Sequence, residues 1–234
     1  MDPRCQRHKL GRTVVLKTRV GRTVLTFAAA AVLIAVAVFV LVNRTASEKP
    51  VEVPADAGTA QVVRDNSHRM NDNPDAEVTF VEFLDFECEG CLAAYPIVEQ
   101  LRADYGDRVE FVLRYFPLPG HFNAERAARA VEAAAQQGQL EPMYHKMYET
   151  QTQWGEQRTP ADDVFRGFAS ELGLDMAAFD AAYNDPATSE RIRLDVNDGQ
   201  QLGVQGTPTF FINGEQVRLR NSDDLRNAIE KALR

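Results

Sequence analysis

VTFVEFLDFECEGCLAAYPIVEQL, residues 78–101, contains a strand-like pattern, then two cysteines, and then a helical pattern. Its first part, Val78–Phe86, is apolar and rich in aromatic residues, as is typical of a buried strand, whereas the apolar residues over 92–101 recur at helical spacing. Cys88 and Cys91 therefore lie at a strand-to-helix turn. At such a turn the first sulfur meets unpaired backbone N–H groups and the positive end of the helix dipole, and both favour a thiolate. The stretch predicts a redox site.

The N-terminal end differs in charge from the rest of the chain. Residues 1–22 hold seven basic residues and one acidic residue, a net charge of +6, so the remaining residues carry −14 and the whole chain carries −8. The basic segment has no interleaved aromatic residues and runs directly into an apolar segment. We therefore expect no nucleic-acid partner.

Thr23–Val42 contains no charged residue and as a helix would be about 30 Å long, which matches the hydrocarbon thickness of a bilayer. Because the positive charge lies on its N-terminal flank, the positive-inside rule predicts a cytoplasmic tail at 1–22, a single transmembrane helix at 23–42 and an extracytoplasmic domain after Asn43. Cleavage near Thr45–Ser47 is the alternative, and it would release the same domain on the same side.

Cysteine usage agrees with export. The chain has three cysteines, and Cys5 falls in the predicted cytoplasmic tail. Cys88 and Cys91 are then the only pair in the exported domain, whereas a secreted fold held by disulfides would have several pairs. We expect the hydrophobic core to hold the fold and the cysteine pair to serve another purpose.

The segment 43–75 mixes prolines, a glycine and charges with little periodicity and is predicted to be a linker, with a first strand near 61–64 as a weaker expectation. After the turn cluster Asn71–Asp75 the folded domain is expected over 76–234. Its first strand, the helix after the cysteines and a second strand over 108–116 predict a βαβ unit with parallel strands.

Helical patterns fill the chain over about 123–202 and predict an inserted helical subdomain, with helices at 124–137, 142–152, 160–172, 176–183 and 186–202. Asn213-Gly214 lies between two short strand-like runs and predicts an antiparallel hairpin. Ser222 is expected to cap a final amphipathic helix. This order of elements predicts an α/β fold with a mixed sheet.

Three features together resemble the thioredoxin fold: Cys88-Glu89-Gly90-Cys91 after an aromatic strand, Pro96 inside the next helix, and Gly206-Thr207-Pro208-Thr209-Phe210 before an Asn-Gly hairpin. The long helical insertion makes the chain similar to the DsbA-like branch, the exported thiol:disulfide oxidoreductases of bacteria. The resemblance covers about residues 78–234. It implies a thioredoxin-like mixed sheet with an inserted helical subdomain, and a redox-active cysteine pair that needs no cofactor.

Cys88 lies at the exposed start of the helix and is predicted to be the attacking thiol, while Cys91, one turn further in, is predicted to resolve the mixed disulfide. A static disulfide is one alternative, although so short a loop would stabilise the fold little. A zinc site is another, with His68, His121 or His145 as further ligands. None of these histidines has paired metal-ligand spacing, so no metal is expected.

Glu82 corresponds to a position at which the family has a buried acid beneath the cysteine pair. Strand alternation puts Glu82 on one face with Phe80 and Leu84, so its carboxyl is expected to have a raised pKa and to take a proton from Cys91. The alternative is an edge strand on which Glu82 is solvated. Asp85 is expected to point the other way.

Pro208 matches the family's cis-proline beside the cysteines. The match implies that the backbone of Thr207 binds the substrate chain as an added strand. A trans proline in an ordinary turn is the alternative. His121 is expected to be a surface loop histidine rather than part of the rim of the site.

Glu89 and Gly90 depart from the family, whose strong oxidants have a histidine between the cysteines. An acid there is expected to raise the pKa of Cys88 and to make the disulfide less oxidising. Glu89 and Gly90 are therefore predicted to tune the redox potential.

Together these features predict an extracytoplasmic thiol-disulfide oxidoreductase, held in the cell membrane by Thr23–Val42, that introduces disulfides into exported proteins with cysteines. The resemblance implies a membrane reoxidase, DsbB-like or VKOR-like, as its redox partner, or a reductant if electrons flow the other way. A disulfide reductase or isomerase with the same site is the first alternative. A non-catalytic peptide-binding module with a structural disulfide is the second.

Overall fold

The computed structural model describes residues 60–71 and 73–234. The predicted cytoplasmic tail, the predicted membrane helix and about half of the predicted linker lie outside these residues. None of the helices in the described part of the chain is both long and apolar enough to cross a membrane.

A five-stranded mixed sheet forms the centre of the fold. Its strands are β1 (His68–Arg69), β2 (Val78–Leu84), β3 (Val109–Tyr115), β4 (Thr209–Ile212) and β5 (Glu215–Val217), in the order β1-β3-β2-β4-β5. The neighbours β2 and β3 run parallel and are joined by α1 (Glu89–Tyr105), while all other neighbours run antiparallel. The predicted βαβ unit and mixed sheet are confirmed.

Helices fill the chain between β3 and β4, as the periodicity predicts. They are α2 (Ala124–Ala135), α3 (Leu140–Trp154), α4 (Asp162–Glu171), α5 (Met176–Asn184) and α6 (Pro186–Gln201). A final helix, α7 (Asp224–Ala232), follows β5. We refer to α2–α6 as the helical insertion.

The hairpin between β4 and β5 turns at Asn213 and Gly214. Both residues have positive φ angles, 49° and 83°, which asparagine and glycine adopt at low cost. The side-chain oxygen of Asn213 also accepts the N–H of Thr79 at 2.9 Å and so ties the turn to β2. The predicted Asn-Gly hairpin is confirmed.

The start of the fold differs from the prediction. Residues 61–64 form no strand, and β1 at His68–Arg69 pairs with β3 instead. The sheet therefore begins inside the segment predicted to be a linker, upstream of residue 76. An edge strand of two residues shows no alternation of polar and apolar residues, so the sequence pattern could not reveal it.

The start of α7 also differs. Its N-cap residue is Asp223, which makes no side-chain capping bond, so the predicted cap at Ser222 is wrong. The carboxylate of Asp224 instead accepts the backbone N–H groups of Arg220 and Asn221. An acid inside the first turn thus organises the chain that enters the helix.

The core of the described residues has three clusters, two of which lie at opposite ends of β2. At the start of the strand, Val78 and Phe80 pack with α1 and α7. At its end, Leu84, together with Phe86 and both cysteines beyond it, belongs to a cluster formed with the helical insertion. The turn that carries the cysteines is therefore held between the sheet and the insertion.

A buried charge network joins β3 to α6. Arg114 on β3 is fully buried and donates to Asp195 at 2.7 Å and to Asp198 at 2.6 Å. The same guanidinium also donates to the backbone carbonyls of Gln61 and Val62, at 2.9 and 2.8 Å. This network holds residues 61–62 on the domain although they are not part of the sheet.

Asp195→Asn is expected to lower the free energy of unfolding by roughly 3 kcal/mol, because it leaves the Arg114 charge buried with less compensation. Denaturant unfolding followed by circular dichroism measures the loss. Glu190→Gln breaks an exposed ion pair with Arg193 and is the control, with no measurable change expected. Equal losses in both variants would contradict the importance of the buried network.

Candidate redox-active site

Cys88 occupies the N-cap position of α1 and has extended backbone angles, φ −72° and ψ 122°. Its N–H donates to the carbonyl of Asp85 at 3.1 Å, and its own carbonyl accepts the N–H of Leu92 at 3.0 Å. Both active-site cysteines are free thiols; Cys88 is 8% exposed and Cys91, in the first turn of α1, is fully buried. The structure thus places one cysteine at the start of the helix and the other inside it, as the sequence predicts, but Cys88 is buried rather than exposed.

Gln151, on α3 of the helical insertion, holds the turn before the helix. Its buried side-chain amide donates to the carbonyls of Phe86 at 2.7 Å and Cys88 at 3.0 Å. The bond to Phe86 satisfies a carbonyl in a segment that is neither strand nor helix, and the bond to Cys88 adds a second donor to a carbonyl that also accepts from Leu92. A glutamine within a helix has no sequence signature for such a role, so the sequence could not predict it.

The two thiols differ in proton affinity. The hydrogen bond with Cys91 lowers the pKa of Cys88 to about 5 despite the opposing effect of burial, and the backbone N–H groups of Gly90 and Cys91 add to the lowering. Burial raises the pKa of Cys91 well above its usual value, and the hydrogen bond to Cys88 and the charge of Glu82 raise it further. These shifts favour the thiolate form of Cys88 and the thiol form of Cys91.

Thr207 and Pro208 lie against the sulfur of Cys88. The peptide bond between them is cis, as predicted, and the carbonyl oxygen of Thr207 is 3.3 Å from the Cys88 Sγ. A Cβ atom at Gly90 would lie 3.2 Å from the Cδ of Pro208. The absence of a side chain at Gly90 therefore allows the first turn of α1 to approach Pro208 closely, a packing role in addition to the predicted tuning role.

Glu82 lies in the interior, on the central strand β2. It is 5% exposed and lines a cavity of about 10 Å³ together with Leu84, Arg102 and Tyr144. Burial raises the pKa of Glu82 to about 8, and the charges of Glu99 and Cys88 act in the same direction. The predicted burial and raised pKa are confirmed. The alternative of a solvated edge position is wrong, because β2 lies between β3 and β4.

Glu89 is exposed in the first turn of α1. The net shift of the Cys88 pKa is nevertheless downward, so the expected raising effect of Glu89 does not dominate. The Cys88 pKa of about 5 lies between the value of about 3.5 in the strong oxidant DsbA and about 7 in thioredoxin. A disulfide less oxidising than that of the strongest family members stays a prediction.

Asp85 and His121 form a pair that no sequence pattern indicated. Asp85 is 2% exposed, and its carboxylate accepts the N–H groups of Glu87 at 2.8 Å and Leu118 at 2.9 Å. The same carboxylate is 2.6 Å from the Nδ1 of His121. His121 lies in the loop after β3 and is partly exposed, as predicted, but Asp85 ties it to residues 85–88, which we call the active-site turn.

The three histidines considered as zinc ligands each have another partner. His68 contacts Glu132, His121 contacts Asp85, and His145 contacts the hydroxyl of Tyr95. Within residues 60–71 and 73–234, a group with ligand-like spacing consists of Glu99, Glu141 and His145 and contains neither cysteine. The described part of the chain gives the zinc alternative no support.

Comparison with solved structures agrees with the architecture. The thioredoxin-like oxidoreductase from Silicibacter pomeroyi DSS-3 is 28% identical, with a TM-score of 0.62 over 74% of this chain and 96% of that one. BdbD from Bacillus subtilis in its oxidised form is 22% identical, with a TM-score of 0.62 over 70% of this chain and 91% of that one. The alpha-DsbA1 protein from Wolbachia pipientis is 18% identical, with a TM-score of 0.63 over 73% and 92%.

Sequence relatives include much longer proteins. A Na(+)/H(+) antiporter NhaA from Herminiimonas arsenicoxydans is 40% identical over 152 residues, which make up 65% of this chain and 23% of that protein. The Na(+)/H(+) antiporter NhaA 3 from Salinispora tropica is 40% identical over 143 residues, or 61% of this chain and 21% of that protein. The aligned region of this chain thus covers less than a quarter of the length of either relative.

The family model described as thioredoxin matches residues 67–231. The match takes in most of the chain, including the sheet, the cysteine pair and the helical insertion. The chain therefore belongs to the thioredoxin family.

Proposed function

We propose that this protein is a thiol-disulfide oxidoreductase anchored in the cell membrane by Thr23–Val42, with residues 1–22 in the cytoplasm and the redox domain outside. Its proposed substrates are exported proteins with cysteines, into which it introduces disulfides. The family, and the oxidoreductases among the similar structures, support the class of reaction. The basic N-terminal flank and the uncharged segment that follows it support the location.

One observation carries the proposal: Cys88, at the N-cap of α1, lies beside the carbonyl of Thr207, whereas Cys91, three residues further on, is fully buried. Cys88 has its pKa lowered to about 5 and lies beside Thr207, whereas the pKa of the buried Cys91 is raised. A structural disulfide needs no such difference. A dithiol that exchanges disulfides does, because one sulfur must attack and leave as a thiolate while the other keeps its proton until resolution.

In the oxidising direction, a substrate thiolate attacks the Sγ of Cys88 in the Cys88–Cys91 disulfide. The bond between the two enzyme sulfurs breaks, and Cys91 leaves as a thiolate that takes up a proton. The substrate's second thiolate then attacks the substrate sulfur of the mixed disulfide, and Cys88 leaves as a thiolate. The substrate loses two electrons and the enzyme pair gains them.

Glu82 is proposed to exchange the proton of Cys91. With a pKa of about 8, its carboxyl holds a proton at neutral pH but can release it. Glu82 would give this proton to the Cys91 thiolate during oxidation of a substrate and would take it back in the reverse reaction. The effect of the Glu82 charge on the Cys91 pKa supports this coupling.

The enzyme pair leaves each oxidation reduced, so repeated turnover requires an acceptor for two electrons. We propose a membrane reoxidase, DsbB-like or VKOR-like, because such a partner would share the membrane with the anchor. The exchange steps require no cofactor, because the bonds that form and break join only the two sulfur atoms of the enzyme and the two of the substrate.

The backbone of Thr207 is proposed to bind the substrate chain as an added strand next to Cys88.

The test uses the full-length protein with the substitution Cys91→Ala and an unfolded protein that contains an accessible disulfide. Cys88 is expected to attack that disulfide and to remain in a mixed disulfide, since the resolving thiol is missing; non-reducing gels and mass spectrometry identify the bond. Cys5→Ala is the control and is expected to turn over without trapping. A Cys91→Ala protein that forms no covalent complex would contradict the proposal and favour the peptide-binding alternative.

The direction of electron flow is tested by thiol trapping in cells. A Cys88–Cys91 pair that is mostly oxidised supports the proposed introduction of disulfides. A pair that is mostly reduced contradicts that direction and favours the reductase or isomerase alternative. Removal of the membrane reoxidase is expected to shift the oxidised pair to the reduced form.

Glu89→His is expected to make the disulfide more oxidising by about 30 mV, a tenfold change in the equilibrium constant with glutathione, because a negative charge near Cys88 is replaced by an imidazole. Equilibrium titration against glutathione measures this. Glu125→His on the exposed side of α2 is the control, with no expected change. A wild-type potential close to the value of about −120 mV for DsbA would contradict the predicted weaker oxidant.

A further inference from the structure

Asp85 connects His121 to the active-site turn through both its main chain and its side chain. Its carbonyl accepts the N–H of Cys88 at 3.1 Å, and its carboxylate, which is inaccessible to solvent, accepts the N–H of Glu87 at 2.8 Å. The same carboxylate lies 2.6 Å from the Nδ1 of His121, whose side chain is 23% exposed. Asp85 thus links the imidazole to the backbone of Cys88 through two hydrogen bonds.

The surroundings of His121 favour a positive charge on its ring. Burial lowers the pKa of His121, but the hydrogen bond and the charge of Asp85, together with the charges of Cys88 and Glu87, outweigh burial and raise the pKa overall. With Nδ1 bound to Asp85, Nε2 is the ring nitrogen that remains. No group in the described part of the chain forms a hydrogen bond with Nε2.

Other charged groups also face this imidazole. His121 lines a cavity of about 450 Å³ whose walls include Glu87, Glu156 and Arg158. The carboxylate of Glu87 is occupied by the backbone N–H groups of Asn123 and Glu156. Arg158 is exposed. Among the cations on this cavity, His121 is the one fixed by a buried carboxylate that also bonds the active-site turn.

We propose that His121, positioned by Asp85, is the cation that stabilises the Cys88 thiolate in the exchange reaction proposed above, on which this inference rests. When the mixed disulfide is resolved, the bond between Cys88 and the substrate sulfur breaks, and Cys88 leaves with the electron pair while the two substrate sulfurs bond to each other. A positive imidazole that interacts with the charge of Cys88 stabilises the leaving thiolate. It supplies, from the loop after β3, the positive charge that Glu89 and Gly90 do not provide.

This role also affects the equilibrium. A cation that stabilises the thiolate stabilises the reduced form of the enzyme, and a more stable reduced form means a more oxidising disulfide. Asp85 carries no positive charge and does not itself stabilise the thiolate. It is a positioning residue that holds the imidazole and favours its protonation.

His121→Gln in the full-length Cys5→Ala protein tests the inference. Titration of the reduced protein by the ultraviolet absorbance of the thiolate is expected to show the pKa of Cys88 raised by about one unit. Titration against glutathione is expected to show a disulfide about tenfold, or about 30 mV, less oxidising. An unchanged Cys88 pKa in a folded His121→Gln protein would overturn the inference.

Two further variants separate a specific role from a general effect. Arg158→Gln removes a full charge from the same cavity and is expected to leave the Cys88 pKa unchanged; a shift as large as that of His121→Gln would overturn the inference. His121→Lys restores a positive charge and is expected to recover part of the lost acidity of Cys88. Failure of lysine to recover any of it would overturn the electrostatic explanation.

The same measurements distinguish this inference from the proposed function. A wild-type protein whose cysteine pair does not exchange with glutathione would defeat the proposed function itself. A wild-type protein that exchanges normally, combined with a His121→Gln protein of unchanged Cys88 pKa and potential, would defeat only the role of His121.

Discussion

Cys88→Ala is expected to reduce the rate of disulfide exchange by about 10³-fold or more, since every step of the proposed reaction forms or breaks a bond to the Cys88 sulfur. Cys91 cannot take its place. It is fully buried, and its raised pKa keeps it protonated at neutral pH. The measurement is the oxidation of a reduced, unfolded protein with two cysteines by the oxidised full-length enzyme, followed by the loss of free thiols.

Cys5→Ala is the matched control for this experiment, because it removes a cysteine that is predicted to lie on the other side of the membrane. Its exchange rate is expected to equal that of the wild type. An unchanged rate of disulfide exchange in Cys88→Ala would contradict the proposed enzymatic function and favour the non-catalytic peptide-binding alternative. A loss in both variants would show that the predicted separation of Cys5 from the redox site is wrong.

Glu82→Leu is expected to stabilise the reduced domain at high pH, by up to about 5 kcal/mol above pH 8. The carboxyl of Glu82 has a pKa of about 8 in the folded protein against the usual 4.5, so the native state binds a proton that the unfolded state has released. The contribution of Glu82 to the free energy of unfolding therefore falls as the pH rises from about 4.5 to about 8. Removal of the carboxyl removes this fall.

Denaturant unfolding of the reduced wild type and of Glu82→Leu at pH 5 and at pH 9 measures this effect. The gap between the two proteins is expected to be small at pH 5 and large at pH 9. Glu125→Leu replaces an exposed carboxylate on α2 and is the control, with no comparable pH-dependent gap. Equal pH dependence in the wild type and Glu82→Leu would show that the Glu82 carboxyl is not destabilised by burial.

The same variant separates stability from function. Loss of the proton exchange with Cys91 is expected to slow disulfide exchange by about 10²-fold, the usual size of a general acid–base contribution. Glu82→Leu should thus be more stable and less active than the wild type. A Glu82→Leu protein that is more stable but has an unchanged rate of disulfide exchange would confirm the cost of burying Glu82 and contradict its proposed proton exchange with Cys91.

Much of the fold follows from short-range patterns in the sequence. The strand and helix around Cys88 and Cys91 show different hydrophobic periods, and Asn213-Gly214 marks a turn with positive φ angles. Such features depend on neighbours a few residues apart, which is why the βαβ unit, the helical insertion and the hairpin could be predicted. The two-residue β1 is too short to show any period, so the sequence pattern does not reveal its position at His68–Arg69.

The candidate site was predictable only in part. The cysteine pair is a local motif, and Pro208 and Glu82 were identified through a family resemblance rather than through any pattern that links them to the cysteines. The bonds that Gln151 makes to the active-site turn were not predictable. Gln151 lies 63 residues from Cys88 in sequence, and nothing local distinguishes it from other polar helical residues.

A dithiol at the start of a helix in an α/β fold can be read from the residues alone, because hydrophobic period, turn chemistry and motif spacing are local properties. The surroundings of that dithiol depend on how distant parts of the chain pack. The Thr207 carbonyl reaches Cys88 across 119 residues of chain, and Asp85 meets His121 across 36. These contacts arise from the packing of the sheet, its loops and the helical insertion, and that packing also sets the burial that moves the pKa values of Cys91 and Glu82.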